Sequence, residues 1–345
     1  MSMKRILFLF LLFATAILSS CSKDRNSKQV STEADNPKNL PSSGGKTLEM
    51  ILVSTDDVYK GSVKDSIGTY FQKACDGINQ PEPLFDLVHI LPSNFNNSDM
   101  FQKHRNILII DVNKNNANKV YKNYNYKAFP QAYFEVSVTN YDSLFSLIRK
   151  FAPIMIDKFY ENEYRRIGLA FKKLENIEAT KKLKNTFEFS LTISNEFSIS
   201  IFNDDFAWFK KDYMAKKQQR TLNIMVHKIP YIGQGMFKEE KIIELRDKIS
   251  KQYIAGPLHG SYMGTEKRFP LTRKNVNIKG QTAVETRGLW RLFNDFMGGP
   301  FINYCFFDQK NNQFVMIDCF VYSPNQPKRD ELIQLESIVY SLKFE

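Results

Sequence analysis

The sequence predicts an α+β protein, with an N-terminal α/β part followed by a C-terminal part built on a mainly antiparallel sheet. Two observations predict it. Between residues 47 and 140, short apolar runs of strand length interleave with a segment of helical period, which packs helices against a sheet. From residue 186 onward, alternating segments follow one another across short polar turns, and neighbours joined in this way pair antiparallel.

The elements follow in order. Leu48 to Val53 is an apolar run bounded by turn formers and reads as a buried strand. Val63, Ile67, Tyr70, Phe71 and Ala74 recur at helical spacing, with Gly77 as the stop signal. Pro81–Glu82–Pro83 separates this helix from the apolar stretch Leu84 to Leu91. Strands are predicted at Ile107 to Val112 and at Gln131 to Val138, where apolar and polar residues alternate.

From Asp142 the period lengthens. Leu144, Phe145, Ile148 and Phe151 share one face, and after Pro153 the stripe resumes with Met155, Phe159, Ile167, Phe171 and Leu174. Proline inside such a run removes a backbone donor and crowds the preceding turn. The reading is therefore two consecutive helices, with Pro153 opening the second. The outer face of the second carries Glu161, Glu163, Arg165, Arg166, Lys172 and Lys173, which solvation alone explains. These helices, within residues 141–185, connect the two domains.

In the second domain, 186–345, Phe187, Phe189, Leu191 and Ile193 alternate, as do Phe197, Ile199 and Ile201, then Phe206 and Trp208, then Ile224 and Val226. Ile242, Leu245, Arg246, Ile249 and Tyr253 form a helix ending near Gly256–Pro257. A long loop over residues 256–300 leads into a hairpin, Tyr304 to Phe307 and Phe314 to Tyr322. Leu332, Leu335, Ile338, Val339 and Leu342 line a closing helix.

The first 46 residues carry a different message. Lys4 and Arg5 give a basic head, Ile6 to Leu18 an apolar core too short to span a membrane permanently, and Leu18–Ser19–Ser20–Cys21 a small-residue exit of lipobox form. Residues 1–20 read as a cleaved export signal and Cys21 as the site of lipid attachment, so the protein is expected to be a lipoprotein held at the membrane. Each buried acyl methylene contributes roughly 0.8 kcal/mol, so several chains on one cysteine hold permanently. Residues 21–46 are polar and read as a tether spanning about 25–30 Å as a flexible coil. Residues 47–140 form the first domain.

The chain has 48 Lys and Arg against 37 Asp and Glu, a net charge of +11; removing Lys4 and Arg5 with the signal leaves +9. An exported chain rarely meets nucleic acid, so the expected partners are an envelope protein, anionic lipid or a glycan. Besides Cys21, Cys75, Cys305 and Cys319 remain, an odd number. Cys305 and Cys319 flank the hairpin and would face each other only across a three-residue turn, so buried, unpaired thiols are the default.

No signature of metal, redox or nucleotide chemistry is present: there is no His-Glu-x-x-His, Cys-x-x-Cys, Walker loop or Gly-x-Gly-x-x-Gly, and no cofactor is expected. Gly260–Ser261–Tyr262–Met263–Gly264 resembles a nucleophile elbow, but its serine stands second rather than central. His89 and His227 read as satisfied sheet residues and His104, beside Arg105, as a surface turn. The candidate site is the 256–300 stretch. It holds His259, Ser261, Tyr262, Arg268, Arg287, Trp290 and Arg291 among seven glycines, a composition suited to anion binding through arginine forks and backbone donors. Two functions compete: a non-catalytic binding or assembly factor using this region, and an envelope hydrolase using His259 and Ser261.

Several short blocks carry a family resemblance. Gln80–Pro81–Glu82–Pro83–Leu84–Phe85, His104–Arg105–Asn106–Ile107, Pro130–Gln131–Ala132, Gly260–Ser261–Tyr262–Met263, Arg287–Gly288–Leu289–Trp290 and Met297–Gly298–Gly299–Pro300–Phe301 resemble the signature blocks of a Bacteroidetes lipoprotein family classed as a domain of unknown function. The resemblance implies a Gram-negative envelope lipoprotein, with the outer membrane as the expected location, and brings no catalytic role. From Phe187 onward, the Phe206–Ala207–Trp208 strand, the hairpin, Tyr322–Ser323–Pro324 and the last helix are similar to the α/β/α sandwich of the PsbP and Mog1 group. That likeness implies a binding or assembly factor.

Overall fold

The computed structural model describes residues 39–215 and 217–344; Cys21, the export signal and most of the expected tether lie outside the described residues. The N-terminal sheet consists of β1 (Glu49–Val53), β2 (Asp86–Ile90), β3 (Asn106–Val112), β4 (Lys119–Tyr124) and β5 (Ala132–Val138) in the order β2-β1-β3-β5-β4. All neighbours run parallel except β4, which pairs antiparallel with β5. Strand β4 was not legible: its six residues, KVYKNY, leave one side half-exposed at best, as a lysine-bearing edge does.

One face of this sheet packs under α1 (Gly61–Phe71) and the long α4 (Tyr141–Lys173); the other is covered by the short α2 (Pro92–Asn96) and α3 (Asp99–Gln102) through Phe95 and Phe101. The expected split at Pro153 does not occur, and α4 is one helix of 33 residues, about 50 Å long. Pro153 sits on the solvent side of the helix, where water can take the freed carbonyl, while Ile148, Ala152, Met155 and Phe159 stay buried on the other side. Packing of both halves on one core outweighs the missing hydrogen bond. Asn140 caps the start by accepting from Ser143 N at 2.9 Å, and Lys172 and Lys173 complement the dipole at the end.

Two polar residues read as solvated are buried. Glu163 is fully enclosed, accepting from Arg105 Nη1 at 2.9 Å and from Asn106 Nδ2 at 2.8 Å. Burial pushes its carboxyl above the ordinary range, against the pull of Arg105. His104, expected in a surface turn, places Nε2 2.9 Å from Glu49 Oε1 and Nδ1 3.1 Å from the Asn106 carbonyl; burial lowers its pKa. These side chains clamp the last tether residues. Phe129 N donates to Pro41 O at 2.8 Å, Gly44 N to Lys103 O at 2.9 Å, and Arg105 to the carbonyls of Gly44 and Gly45. Residues 41–46 therefore belong to the folded body rather than to the expected tether. Backbone groups make the dock, which composition cannot register. Gly45 has φ +93°, and a Cβ there would lie 2.0 Å from the His104 ring.

After α5 (Ile177–Phe187) the second sheet begins. The alternation at Phe187 to Ile193 is not a full strand: Phe187 closes α5, and only β6 (Phe189–Ser190) pairs, with β15 (Lys343–Phe344). All four apolar residues are buried nonetheless. The large sheet contains β7 (Ser198–Phe202), β8 (Phe206–Ala215), β9 (Gln218–Pro230), β10 (Tyr262–Thr265), β11 (Thr272–Ile278), β12 (Gln281–Phe293), β13 (Gly298–Asp308) and β14 (Gln313–Tyr322). Its order is β10-β12-β13-β14-β9-β8-β7, with β11 beside β10 on the free edge of β12, and every pairing is antiparallel. The expected loop over 256–300 is thus mostly strand.

Alternation sorts this sheet into two cores. Ile224, Val226, Ile302, Tyr304, Ile317 and Cys319 face α7 (Arg329–Val339) and share one continuous core with the first sheet. Met225, Phe301, Cys305, Met316 and Phe320 face α6 (Glu239–Tyr253). The α+β class holds, with α6 and α7 on opposite faces of the antiparallel sheet. Cys305 and Cys319 point to opposite faces, pair in register with Met316 and Ile302, and are free thiols, as is Cys75. No described helix is long and apolar enough to cross a membrane.

The two sheets meet at α7. This helix has no side-chain cap of its own; instead Glu82, from the Pro81–Glu82–Pro83 turn, accepts from Lys328 N at 2.8 Å and Arg329 N at 2.9 Å. Arg329 returns the contact, its Nη2 lying 2.8 Å from Asp86 Oδ2. A carboxylate on free N–H groups at a helix start contributes about 1 kcal/mol or more. Glu82→Ala is expected to lower unfolding free energy by about 1–2 kcal/mol in urea titration; an unchanged midpoint would show the cap to be idle.

Candidate functional site

Two turns lie side by side at one end of the large sheet. The first follows α6, where Met263 N donates to Ile254 O at 3.0 Å and Gly256 N to Ser261 O at 3.2 Å, folding residues 254–263 back on themselves. Gly256 is needed for the closure, because a Cβ there would meet Ser261 Oγ at 2.3 Å. The second is the β12–β13 turn, in which Asn294 takes φ +63° and Asp295 Oδ1 accepts from Phe296 N at 2.6 Å. Asn294 Nδ2 donates to Gly260 O at 3.2 Å and joins them.

Their tips are apolar. Phe296 is 102 % exposed and Leu258 52 % exposed. Behind them the Tyr262 and Phe293 rings stack at 5.2 Å, with Lys251 Nζ 4.5 Å from the first and the Arg291 guanidinium 5.1 Å from the second. The surface combines exposed aromatic and aliphatic tips with flanking cations.

The sequence candidates divide between this end and the interior. His259, Ser261, Tyr262 and Arg291 belong to the two turns and the strand ends beneath them. Arg268 joins through Glu266, which accepts from Arg268 Nη2 at 2.6 Å and lies 3.4 Å from Arg291 Nη1. The bond from Arg268 holds the half-buried Glu266 carboxyl down at about 2. Arg287 and Trp290 lie elsewhere. Trp290 is buried and donates Nε1–H to Val321 O at 3.1 Å. Arg287 reaches Glu285 at 2.6 Å and Glu336 of α7 at 3.1 Å, and Tyr164 of α4 donates to Glu336 at 2.5 Å. Burial works against that guanidinium's charge, yet Glu285 and Glu336 raise its pKa well above normal.

No catalytic set forms around Ser261. It is buried, and its hydroxyl donates to the Leu258 carbonyl at 2.6 Å, while His259 is exposed. A second serine–histidine contact, unseen in the sequence, occurs where β1 leads to β2 on one side and β3 lies on the other, the switch point at which open parallel sheets commonly bind ligands. There His89 Nε2 is 3.0 Å from Ser54 Oγ, and Nδ1 is 3.8 Å from Asp56 Oδ1. The same Nε2 is also 3.0 Å from the Ser54 carbonyl, and Ser54 is fully buried, so a substrate has no approach to that hydroxyl. Among the described residues, no three His, Cys, Asp or Glu side chains gather in a metal-binding group. What sequence reasoning missed is the apolar tips: Leu258 and Phe296 are ordinary core residue types, and only their position on turns marks them.

Two variants separate interior from surface. Arg287→Ala leaves the buried Glu336 without its cation and Glu285 with Lys274 alone, at 3.4 Å, and is expected to cost about 3–5 kcal/mol in chemical denaturation. Arg268→Ala, which removes an exposed guanidinium, should stay within about 0.5 kcal/mol. In the latter variant the Glu266 carboxyl carbon, followed by NMR, should titrate at higher pH than in the parent. Equal destabilisation by both changes would contradict this division.

Two family models match the chain in tandem: a domain of unknown function (DUF8532) over residues 43–172 and a domain of unknown function (DUF4837) over residues 176–341. No curated protein matches the sequence. Among solved structures, a single-residue mutant of the protein Mog1 is weakly similar, at 8 % identity and a TM-score of 0.30, covering 46 % of this chain and 90 % of that one. The Saccharomyces cerevisiae Ran-binding protein Mog1p is similar at 8 % identity and a TM-score of 0.29, with the same coverage of both chains.

Proposed function

We propose that this pairing of two domains of unknown function is a lipid-anchored cell-envelope protein, held at the outer membrane through Cys21, that binds through the loop end of its larger sheet without turnover. One observation carries the binding reading. The groups that could do chemistry are consumed internally, whereas Leu258 and Phe296 are displayed to solvent. Ser261 spends its proton on Leu258, and Ser54 is sealed beneath His89. A hydrolase built on His259 and Ser261 needs a hydroxyl that is both accessible and bonded to the imidazole, and neither condition is met.

The anchor reading is supported by the basic head, apolar core and Leu18–Ser19–Ser20–Cys21 exit. The positive charge of the remaining chain favours partners that carry anionic groups.

Both halves are testable in cells. Cys21→Ala is expected to abolish acylation and cleavage, giving an unprocessed mass and loss of normal membrane fractionation; unchanged mass and fractionation would refute the anchor. A fluorophosphonate probe is expected to leave Ser261 unmodified. Labelling that disappears in Ser261→Ala would establish a nucleophile and overturn the non-catalytic reading.

A further inference from the structure

We propose that the larger sheet holds a cuprous ion beneath α6, bound by the imidazole Nε2 of His227 and the thioether sulfurs of Met225 and Met316, with the Asp318 carboxylate as counter-charge. This site stands apart from the loop end and from the anchor.

Strand spacing and register bring the ligands together. Met225 and His227 are two residues apart on β9 and so project to the same face of the sheet, the one that α6 covers. Strand β14 pairs with β9 so that Met316 lies directly opposite His227, and Asp318 directly opposite Met225. Side chains facing each other across two strands root about 4.5–5.5 Å apart, which places the four in one square. All four line a single small cavity, closed by Arg246 and Ile249 of α6, that is too narrow for a water molecule. Nitrogen and sulfur donors approach a first-row metal to about 2.0–2.3 Å, closer than the roughly 2.8 Å that a water needs. A hole of this kind suits a bare ion better than solvent.

The donor atoms are prepared for it. His227 Nδ1 lies 2.9 Å from the Asp205 carbonyl, which can only accept, so Nδ1 carries the proton and Nε2 keeps its lone pair. Among the described residues Nε2 has no hydrogen-bond partner. A carbonyl on the far nitrogen is the support that metal-bound histidines ordinarily have. Met225 and Met316 are each 2 % exposed, and their sulfurs are soft, neutral donors that suit monovalent copper and not the hard cations. Of the side chains around the cavity, His227 alone is not buried, so an ion enters past its ring.

Charge favours a single positive ion. Asp318 is buried; its Oδ1 accepts from Arg246 Nε and from Asn303 Nδ2, each at 2.9 Å, while Oδ2 has no partner. Arg246 also lies 3.9 Å from Asp247 Oδ1, and its guanidinium stacks 3.8 Å from the centre of the Phe301 ring. Arg246, Asp247 and Asp318 therefore sum to one negative charge. Asp205 and Lys248 act on His227 with opposite signs and cancel. One added positive charge balances the group, and a second would leave a buried excess.

Residues 36–345 form one compact unit containing both cores and serve for the test. Titrated anaerobically with cuprous ion against bicinchoninate, this unit should take one equivalent with sub-micromolar affinity. Met225→Leu and Met316→Leu conserve volume and should each weaken uptake by about tenfold or more, with unchanged circular-dichroism melts. His227→Asn, which keeps an amide donor for the Asp205 carbonyl, should do the same. With carbon-labelled methionine methyl groups, silver ion, a redox-inert analogue, should shift the Met225 and Met316 resonances and leave the other methionines in place. Absence of uptake, or silver that leaves those two resonances unmoved, would overturn the proposal. Uptake that both leucine variants retain would overturn it as well, by placing the ion on the free thiols of Cys75, Cys305 or Cys319.

Discussion

The charged seam between α4, α7 and β12 is the constraint on which the rest of the architecture depends. Glu336 on α7 receives Arg287 from the large sheet and Tyr164 from α4; Arg287 also holds Glu285, and Lys274, 3.4 Å from Glu285, completes the charge balance. Such a cluster is costly to desolvate and stabilises only when every member is in place. It therefore favours one docking of the two sheets over all near alternatives. Around it the apolar core runs unbroken from Phe71, Phe85 and Phe159 on the first sheet to Ile224, Tyr304 and Ile317 on the second. Glu82 on the start of α7 and Arg329 against Asp86 extend the seam to its outer end.

That seam also explains which parts of the sequence were legible. Strands β1, β3, β5, β9 and β14 and helices α1, α6 and α7 could be read because their burial follows a simple period. Strand β12 could not: Glu285 and Arg287 sit at inward positions, and the second carboxylate on Arg287 comes from Glu336, some fifty residues later. A segment with charges on its inner face and Gly288 in the middle reads as loop when its distant partner is unknown. The same blindness hid Glu163 and His104, whose partners Arg105 and Glu49 stand 58 and 55 residues away in sequence. Pro153 misled in the opposite sense, because a local rule about proline was outweighed by burial on both sides of it.

The candidate site was half legible. Its glycines and basic residues drew attention to the right stretch of chain, and His259, Ser261, Tyr262 and Arg291 do gather at one end of the sheet. Arg287 and Trp290, the two most conspicuous side chains there, turn inward and serve the packing. What distinguishes the exposed end is the placement of Leu258 and Phe296 on turns, a property of the fold and not of the residue types.

If the two sheets form one body through the seam, they must unfold together. Scanning calorimetry of residues 36–345 should give a single endotherm whose calorimetric and van't Hoff enthalpies agree. Two resolved transitions, one for each sheet, would contradict the account.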